Sequence, residues 1–323
     1  RCAYYCPLGI DTAEITMAAR YILANIGLVP EFIANIMLQM DKTGNNMGIL
    51  KPAIVDCCEF LEEEIKEETG LDIKIPVDKP RAEVLYVPSS TEFLVNVDTL
   101  IGVAKVFHVL GLDWTISSAA TEAANYGLFA NLDLLKRHNA RLLAAARTVG
   151  AGLVVQGECG HGWRVAKMYT EGANAPVPFK LRHILELVAD NLAVLPLRKL
   201  PWRVTLHDPC NYARAGDLIE QPRTILKACV NELVEMTPNR EFNYCCGGGS
   251  GLLMDEMLAT RMKLAKMKAE QIRALGPVGY IVAPCASCKA QLPKVIENYQ
   301  LGNIQVAGVM EIVGKALRLE TGR

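Results

Sequence analysis

Three cysteine groups in the second half of the chain constrain it more than any other feature. They are His207-Asp208-Pro209-Cys210, Tyr244-Cys245-Cys246-Gly247-Gly248-Gly249 and Ala283-Pro284-Cys285-Ala286-Ser287-Cys288, a C-x34-CC-x38-C-x2-C pattern. Short apolar runs at 204–206 and 280–283 lead into the first and third groups and read as buried parallel strands ending at a cysteine. The second group sits in a glycine-rich turn. Loops at the carboxyl ends of parallel strands open into one crevice, where α/β sheets bind ligands. A fold that satisfies all three groups gathers five thiols, and five thiols make a metal or redox site.

The chain holds eleven cysteines in 323 residues. An odd total with CC and CxxC clustering suits iron or zinc ligation better than a disulfide framework, and so points to a reducing, cytoplasmic compartment. Lys and Arg number 34 against 35 Asp and Glu, a balance that gives no reason to expect nucleic acid as a partner. No uninterrupted apolar run reaches the roughly 18 residues of a spanning helix. The stretch from Thr99 to Trp114 comes nearest, but Lys105, His108 and Asp113 interrupt it, so a membrane role needs a partner subunit. The chain opens at Arg1 inside what reads as a motif, and a longer protein is expected.

Cys2-Ala3-Tyr4-Tyr5-Cys6-Pro7 matches the end of the ferredoxin run C-x2-C-x2-C-x3-C-P, in which the cysteine before proline serves the second of two clusters. Two cysteines cannot close a cubane [4Fe–4S] cluster unless others come from elsewhere. Asp11 or Thr12 caps a helix over 13–26. Further helices read over 30–40 and 52–70, so 1–80 reads as the carboxyl part of a small helical, ferredoxin-like domain. Cys57-Cys58 lies in the last helix as packing, and Glu62, Glu63, Glu64, Glu67 and Glu68 form a solvated face.

From residue 82 the texture becomes α/β. A strand at 84–87 is followed by a helix over 98–110, a polar stretch to 125, a helix over 128–149 and a strand at 153–156. That strand ends in Gly157-Glu158-Cys159-Gly160-His161-Gly162. The second half repeats the plan: strand 203–207, helix near 220–235, glycine turn 245–251, helix 252–275 and strand 280–283. On this register Pro88-Ser89 stands opposite Pro209-Cys210, Thr121-Glu122 opposite Cys245-Cys246, Tyr126-Gly127-Leu128 opposite Ser250-Gly251-Leu252, and Glu158-Cys159 opposite Pro284-Cys285. The expected fold is α/β, with two pseudo-twofold-related lobes of small parallel sheets flanked by helices. Residues 81–200 form a degenerate lobe and 201–323 the complete one.

Zinc takes four ligands, usually from two CxxC-like knuckles. Adjacent Cys245 and Cys246 cannot readily bind one tetrahedral ion, yet they can reach two irons of a cluster. The glycines after them let backbone N–H groups approach sulfides. His161 and His207 are candidate proton donors; the alternative for each, and the favoured one for His207, is a histidine bonded to backbone. Cys159 could bind a substrate sulfur, bind the cluster or be a relic. Cys229 reads as core packing.

The C…CCG…CxxC arrangement resembles the cysteine-rich (CCG) domain of the heterodisulfide reductase catalytic subunit. The CPxGIDTAEITMA, GECGH, HDPCN and EMTPNREFNYCCGGG segments look most like the DsrK (HmeD) branch of that family, the iron–sulfur subunits of sulphite-reduction-associated membrane complexes. The resemblance implies a noncubane [4Fe–4S] cluster on Cys210, Cys245, Cys246, Cys285 and Cys288. It also implies cubane clusters in the amino-terminal part, to which Cys2 and Cys6 contribute. The implied substrate is a disulfide or trisulfide of a DsrC-like sulfur-carrier protein or a thiol cofactor. The implied partners are a quinone-reactive membrane subunit and other iron–sulfur subunits, which would hold the chain at the inner membrane. Only Cys159 survives in the first lobe, so a two-cluster cleavage is not expected. Two rival readings are an electron relay to quinone without a sulfur substrate and a zinc-stabilised, non-enzymatic module.

Overall fold

The computed structural model describes residues 2–122, 126–130, 132–170, 177–249 and 253–319. Its centre is two parallel sheets of the same plan. The first contains β1 (Val84–Val87), β2 (Trp114–Ile116), β3 (Leu153–Gln156) and β4 (Lys180–His183) in the order β2-β1-β3-β4. The second contains β5 (Leu200–Leu206), β6 (Val230–Val234), β7 (Tyr280–Val282) and β8 (Gln305–Ala307) in the order β6-β5-β7-β8. In each sheet the first two strands run side by side and the third joins on the opposite edge of the first, so the switch in direction falls between β1 and β3 and between β5 and β7.

Helices provide the crossovers that parallel pairing requires. In the first lobe these are α5 (Val97–Val109), α6 (Leu132–Val149) and α7 (Gly160–Val165), and α8 (Ile184–Asp190) follows the last strand. In the second they are α9 (Cys210–Ala215), α10 (Glu220–Cys229), α11 (Leu258–Arg273) and α12 (Ala286–Asn298), and α13 (Val309–Ala316) follows the last strand. Ahead of them lie α1 (Cys2–Tyr5), α2 (Thr12–Asn25), α3 (Glu31–Thr43) and α4 (Lys51–Thr69).

Side-chain alternation along the strands divides the apolar residues into layers. Val84 and Tyr86, with Val204, Leu206 and Val282, enter one core shared by the two sheets. Leu85 and Val87 turn to an outer core of the first sheet. Ile281 and Ala283 turn to the outer core of the second, which also takes Cys246, Cys285 and Cys288. The lobes meet through helix pairs. Gly102 of α5 lies against the Met310 backbone of α13. Between α7 and α9, the Trp163 indole N–H donates to the Gly216 carbonyl at 2.8 Å. His183 Nε2 and the Tyr212 hydroxyl, 2.7 Å apart, add a buried hydrogen bond across the same seam.

The amino-terminal helices lie close to their expected spans, with Asp11 capping α2 by accepting from Ala13 N–H at 2.7 Å. Their buried residues join the sheet cores: Ile33, Met37 and Met40 of α3 the outer core of the first sheet, and Ile54, Cys58, Leu61 and Ile65 of α4 the shared core. The acidic face of α4 is more than a solvated surface. Glu62 accepts the Ile75 N–H at 2.7 Å, and Glu68 pairs with the buried Lys105 at 2.7 Å.

The second half departs from expectation after Cys229. The helix expected to run to 235 stops there, and Val230–Val234 pairs with β5 as an outer strand. The short strands β2, β4 and β8, which the sequence reading did not mark, complete the sheets. Ser250, Gly251 and Leu252, part of the repeat register, lie outside the described residues.

Gly102 makes the lobe seam testable. A Cβ at Gly102 would come 2.0 Å from the Met310 carbonyl oxygen, whereas one at Gly152 meets nothing within 4 Å. Gly102→Ala is expected to cost about 3 kcal/mol or more in urea unfolding, as overpacked sites do. Gly152→Ala is expected to stay within about 0.5 kcal/mol, as for a surface change.

Candidate metal and redox site

The three cysteine groups arrive from different elements at one place. Beyond β5, Asp208 is gripped by the Arg223 guanidinium through two hydrogen bonds of 2.7 and 2.8 Å and accepts the Arg240 backbone N–H at 2.7 Å. Arg223 also holds Glu235 at 2.7 and 2.9 Å. This buried, bidentate clamp fixes the turn that delivers Cys210 to the first position of α9, just after its cap, Pro209. Past β7, Cys285 caps α12 and Cys288 follows in its first turn. The turn between them bends at Gly247 and Gly249, with φ of 89° and 59°. Gly247 and Gly248 N–H donate to the Cys245 and Cys246 sulfurs at 3.3 and 3.4 Å. A Cβ on Gly247 would strike the Arg261 carbonyl at 2.7 Å.

The sulfurs form a chain of contacts. Cys246 and Cys288 sulfurs are 3.3 Å apart. Cys245 bonds with Cys210 and Cys246, and Cys285 with Cys288. Hydrogen bonds from Cys210 and Cys246 pull Cys245 well below the usual thiol range. The Cys288 thiol, then backbone N–H groups of Cys288, Gly160 and Ser287, hold Cys285 down to about 7. Cys210 and Cys246 are pushed up chiefly by their bonds to Cys245, and Cys288 chiefly by its bond to Cys246.

His207 stands behind these thiols, fully buried, with neither ring nitrogen hydrogen-bonded. Burial, then Lys268, pushes its ring down to about 3. A neutral imidazole there has one N–H to donate and one lone pair to offer. His207, Cys246 and Cys288 offer ligand atoms within 4.8 Å of one another, the metal-like group found among the described residues. Three ligands fall short of a closed zinc site. A wider set of five thiols, glycine N–H groups aimed at sulfur and an orphaned imidazole fit a cluster of several irons.

The first lobe presses on this site without repeating it. Cys159 caps α7 as Cys285 caps α12, and its sulfur accepts the Gly162 N–H at 3.3 Å. Burial, then the charge of Cys285, pushes the Cys159 thiol well up. A Cβ on Gly160 would lie 3.3 Å from the Cys285 sulfur, so the two lobes are in contact there. Where the second lobe has thiols the first has hydrogen bonds. The repeat register sets Ser89 opposite Cys210, but Ser89 is a cap as Pro209 is, so Ser90 takes the Cys210 position; its hydroxyl lies within hydrogen-bond distance of Asn46 Oδ1, at 2.6 Å, and of the Glu122 carboxylate. Thr121 accepts from Asn45 at 3.3 Å.

Between the lobes lies a cavity of about 440 Å³, bounded by Phe32, Asn46, Tyr126, Cys159, His161 and Ser287 among others. His161 stacks there on Phe129 and Tyr126, with ring centroids 5.0 and 5.7 Å away. His207 does not line it. Lysine and arginine are also absent from its described walls. The floor on the second-lobe side is the CxxC helix. Ala286 N–H donates to the Glu158 carbonyl at 3.0 Å, and Lys289 bonds Thr99 at 2.7 Å and faces Glu158 at 3.6 Å.

The amino-terminal cysteines sit near the same lobe. Tyr4 donates to the Arg214 carbonyl of α9, and the Tyr5 ring meets Phe242 edge-on at 5.6 Å. Cys6 is half-buried and free, while the Cys2 side chain lies outside the described residues. Cys58 and Cys229 are core thiols, and Cys57 donates to the Phe93 carbonyl at 2.8 Å. Sequence reasoning missed Lys268, Lys289 and the Arg223 clamp. Arg223 and Lys268 lie on helices whose cationic residues look solvated in one dimension, and Lys289 follows Cys288 with no distinguishing mark.

Residues 204–293 match the cysteine-rich domain family, CCG, a span that contains all five cysteines. The chain is 30% identical, over 99% of its length, to the Hdr-like menaquinol oxidoreductase iron–sulfur subunit of Archaeoglobus profundus. It is 32% identical, over 98%, to the corresponding subunit 2 of Archaeoglobus fulgidus. It spans 66% of the length of each. With one subunit of the dihydromethanophenazine:CoB–CoM heterodisulfide reductase of Methanosarcina mazei it shares 25% identity, covering 99% of this chain and 76% of that one. The protein thus carries a cysteine-rich CCG domain and is similar along nearly its whole length to heterodisulfide-reductase-like iron–sulfur subunits. No helix of the described residues is long and apolar enough to cross a membrane.

The clamp makes the site's architecture testable. Arg223→Met leaves Asp208 buried without its cation and is expected to cost about 3–5 kcal/mol, as breaking a buried pair does. Urea unfolding of the cluster-free chain measures the cost. Adding Asp208→Asn to that variant is expected to restore part of the loss.

Proposed function

We propose that the protein is the iron–sulfur catalytic subunit of an electron-transfer complex. In this reading Cys210, Cys245, Cys246, Cys285 and Cys288 hold a noncubane [4Fe–4S] cluster. The cavity beside Cys159 admits the disulfide or trisulfide of a small sulfur-carrier protein of the DsrC type, as in the DsrK branch of the family. Cys2 and Cys6 belong to a cubane cluster completed by other cysteines. The observation that carries the reading is the cavity of about 440 Å³ whose wall is the CxxC helix itself. A pure relay has no need of such a space beside its ligands.

Reducing a disulfide consumes two electrons and two protons and yields two thiols. A cluster held by the five thiolates would supply the electrons one at a time. The chain's own residues then exclude water, orient the incoming sulfur and hold protons. Cys159 and His161 line the cavity and are the groups within reach of a substrate sulfur. His207, buried behind the thiols, is better suited to donating an N–H to the cluster than to protonating a product, a change from its expected role. The docking of Tyr4 and Tyr5 on α9 and Phe242 brings the amino-terminal cysteine motif against the element that carries Cys210, which supports electron entry from that side. The Archaeoglobus relatives are menaquinol oxidoreductase subunits, which supports a quinol-oxidising membrane partner and a peripheral position on the membrane. With the opposite driving force the same groups oxidise a dithiol.

The disulfide reading separates from a relay to quinone by filling the cavity. Ala290 lines it and is exposed. Ala290→Trp is expected to lower reduction of a peptide disulfide more than tenfold, with electron uptake from dithionite unchanged. Unaltered disulfide turnover in that variant would place the reaction outside this cavity, and no disulfide turnover by the wild type would leave the relay as the better account.

A further inference from the structure

Three lysines of the described chain are buried, and two have carboxylates. Lys105 pairs with Glu68 at 2.7 Å, and Lys289 faces Glu158 at 3.6 Å. Lys268 of α11 is the exception. It is 1% exposed, and among the described residues its ammonium bonds only the Met236 sulfur at 3.3 Å and the Gln271 side-chain oxygen. Neither partner is charged. Asp208 faces it, but that carboxylate is already held by Arg223 and the Arg240 N–H. A buried cation without an anion is disfavoured, because neither water nor a counter-charge offsets its desolvation.

Besides His207, which is held neutral, the other groups that Lys268 faces are Cys245, Cys246 and Cys288. We propose that Lys268 is the counter-charge of the five-cysteine site, an ammonium whose ion-pair partner is the negative charge of the thiolates and of the iron–sulfur cluster they hold. The inference rests on the iron–sulfur reading above. Five thiolates outnumber the positive charges of a [4Fe–4S] core, so the loaded site is an anion in a dry interior, and net charge is one of the levers on cluster potential. The electrostatic partner of Lys268 is thus present only when the site is charged. Lys268 touches no substrate and acts as a positioning and potential-setting residue.

Opposite effects on the loaded and cluster-free chains test this. The full chain, wild type, Lys268→Met and Lys268→Arg, is reconstituted anaerobically with iron and sulfide, and the midpoint potential is read by EPR-monitored redox titration. The expected result is a more negative potential in Lys268→Met, with Lys268→Arg close to wild type. Cluster-free Lys268→Met is expected to denature at a higher temperature than cluster-free wild type at neutral pH, because the isolated cation is gone. An unchanged potential in Lys268→Met, or a cluster-free Met variant no more stable than wild type, overturns the proposal. If wild type takes up no iron, the iron–sulfur reading fails by itself, and the cluster-free comparison still decides whether Lys268 is an unpaired cation.

Discussion

Collecting five sulfurs that repel one another once ionised is the constraint on which the structure depends. Each cysteine group has to be delivered by rigid backbone, since a loop alone would let the charged groups drift apart. Strand ends β5 and β7 deliver two groups, and the Asp208–Arg223–Glu235 network locks the first of them. The glycines at 247–249 deliver the third, turning where an L side chain is strained and placing N–H groups on sulfur. The cost of burying polar groups in the apolar shell of Met236, Ile281 and Leu292 is offset in part by hydrogen bonds among the thiols.

The first lobe shows what the same sheet plan does without the thiols. Ser90, Glu122, Asn45, Asn46 and Thr121 form hydrogen bonds where the second lobe has thiols, and the lobe supplies one wall of a cavity. Its surviving cysteine keeps the helix-capping position that Cys285 has in the second lobe. Asymmetry between two similar lobes leaves thiols on one side and space on the other.

Much of this was legible in one dimension because chemistry there is tied to spacing. Two of the cysteine groups follow apolar runs and the third sits in a glycine-rich turn, and the structure brings their thiols together beside the outer core of the second sheet. Strands β1, β3, β5 and β7 were legible because each is an apolar run beside a turn signal. Strands β2, β4, β6 and β8 were not. Trp114–Ile116 is only three residues long and sits in a polar stretch, and Val230–Val234 continues a pattern that also suits a helix, so neighbouring strands decide the outcome. Lys268, Arg223 and Lys289 look like ordinary surface cations until the fold buries them. The cavity joins Phe32 to Ser287, a juxtaposition that no local pattern encodes.

The account stands on the five thiols holding iron. The most direct test is anaerobic iron and acid-labile sulfide analysis with EPR of the oxidised protein, beside a Cys245→Ser/Cys246→Ser variant. The account predicts a [4Fe–4S] complement on the chain and an oxidised-state signal that disappears in the variant. Stoichiometric zinc, or iron and a signal that persist in the variant, would contradict it.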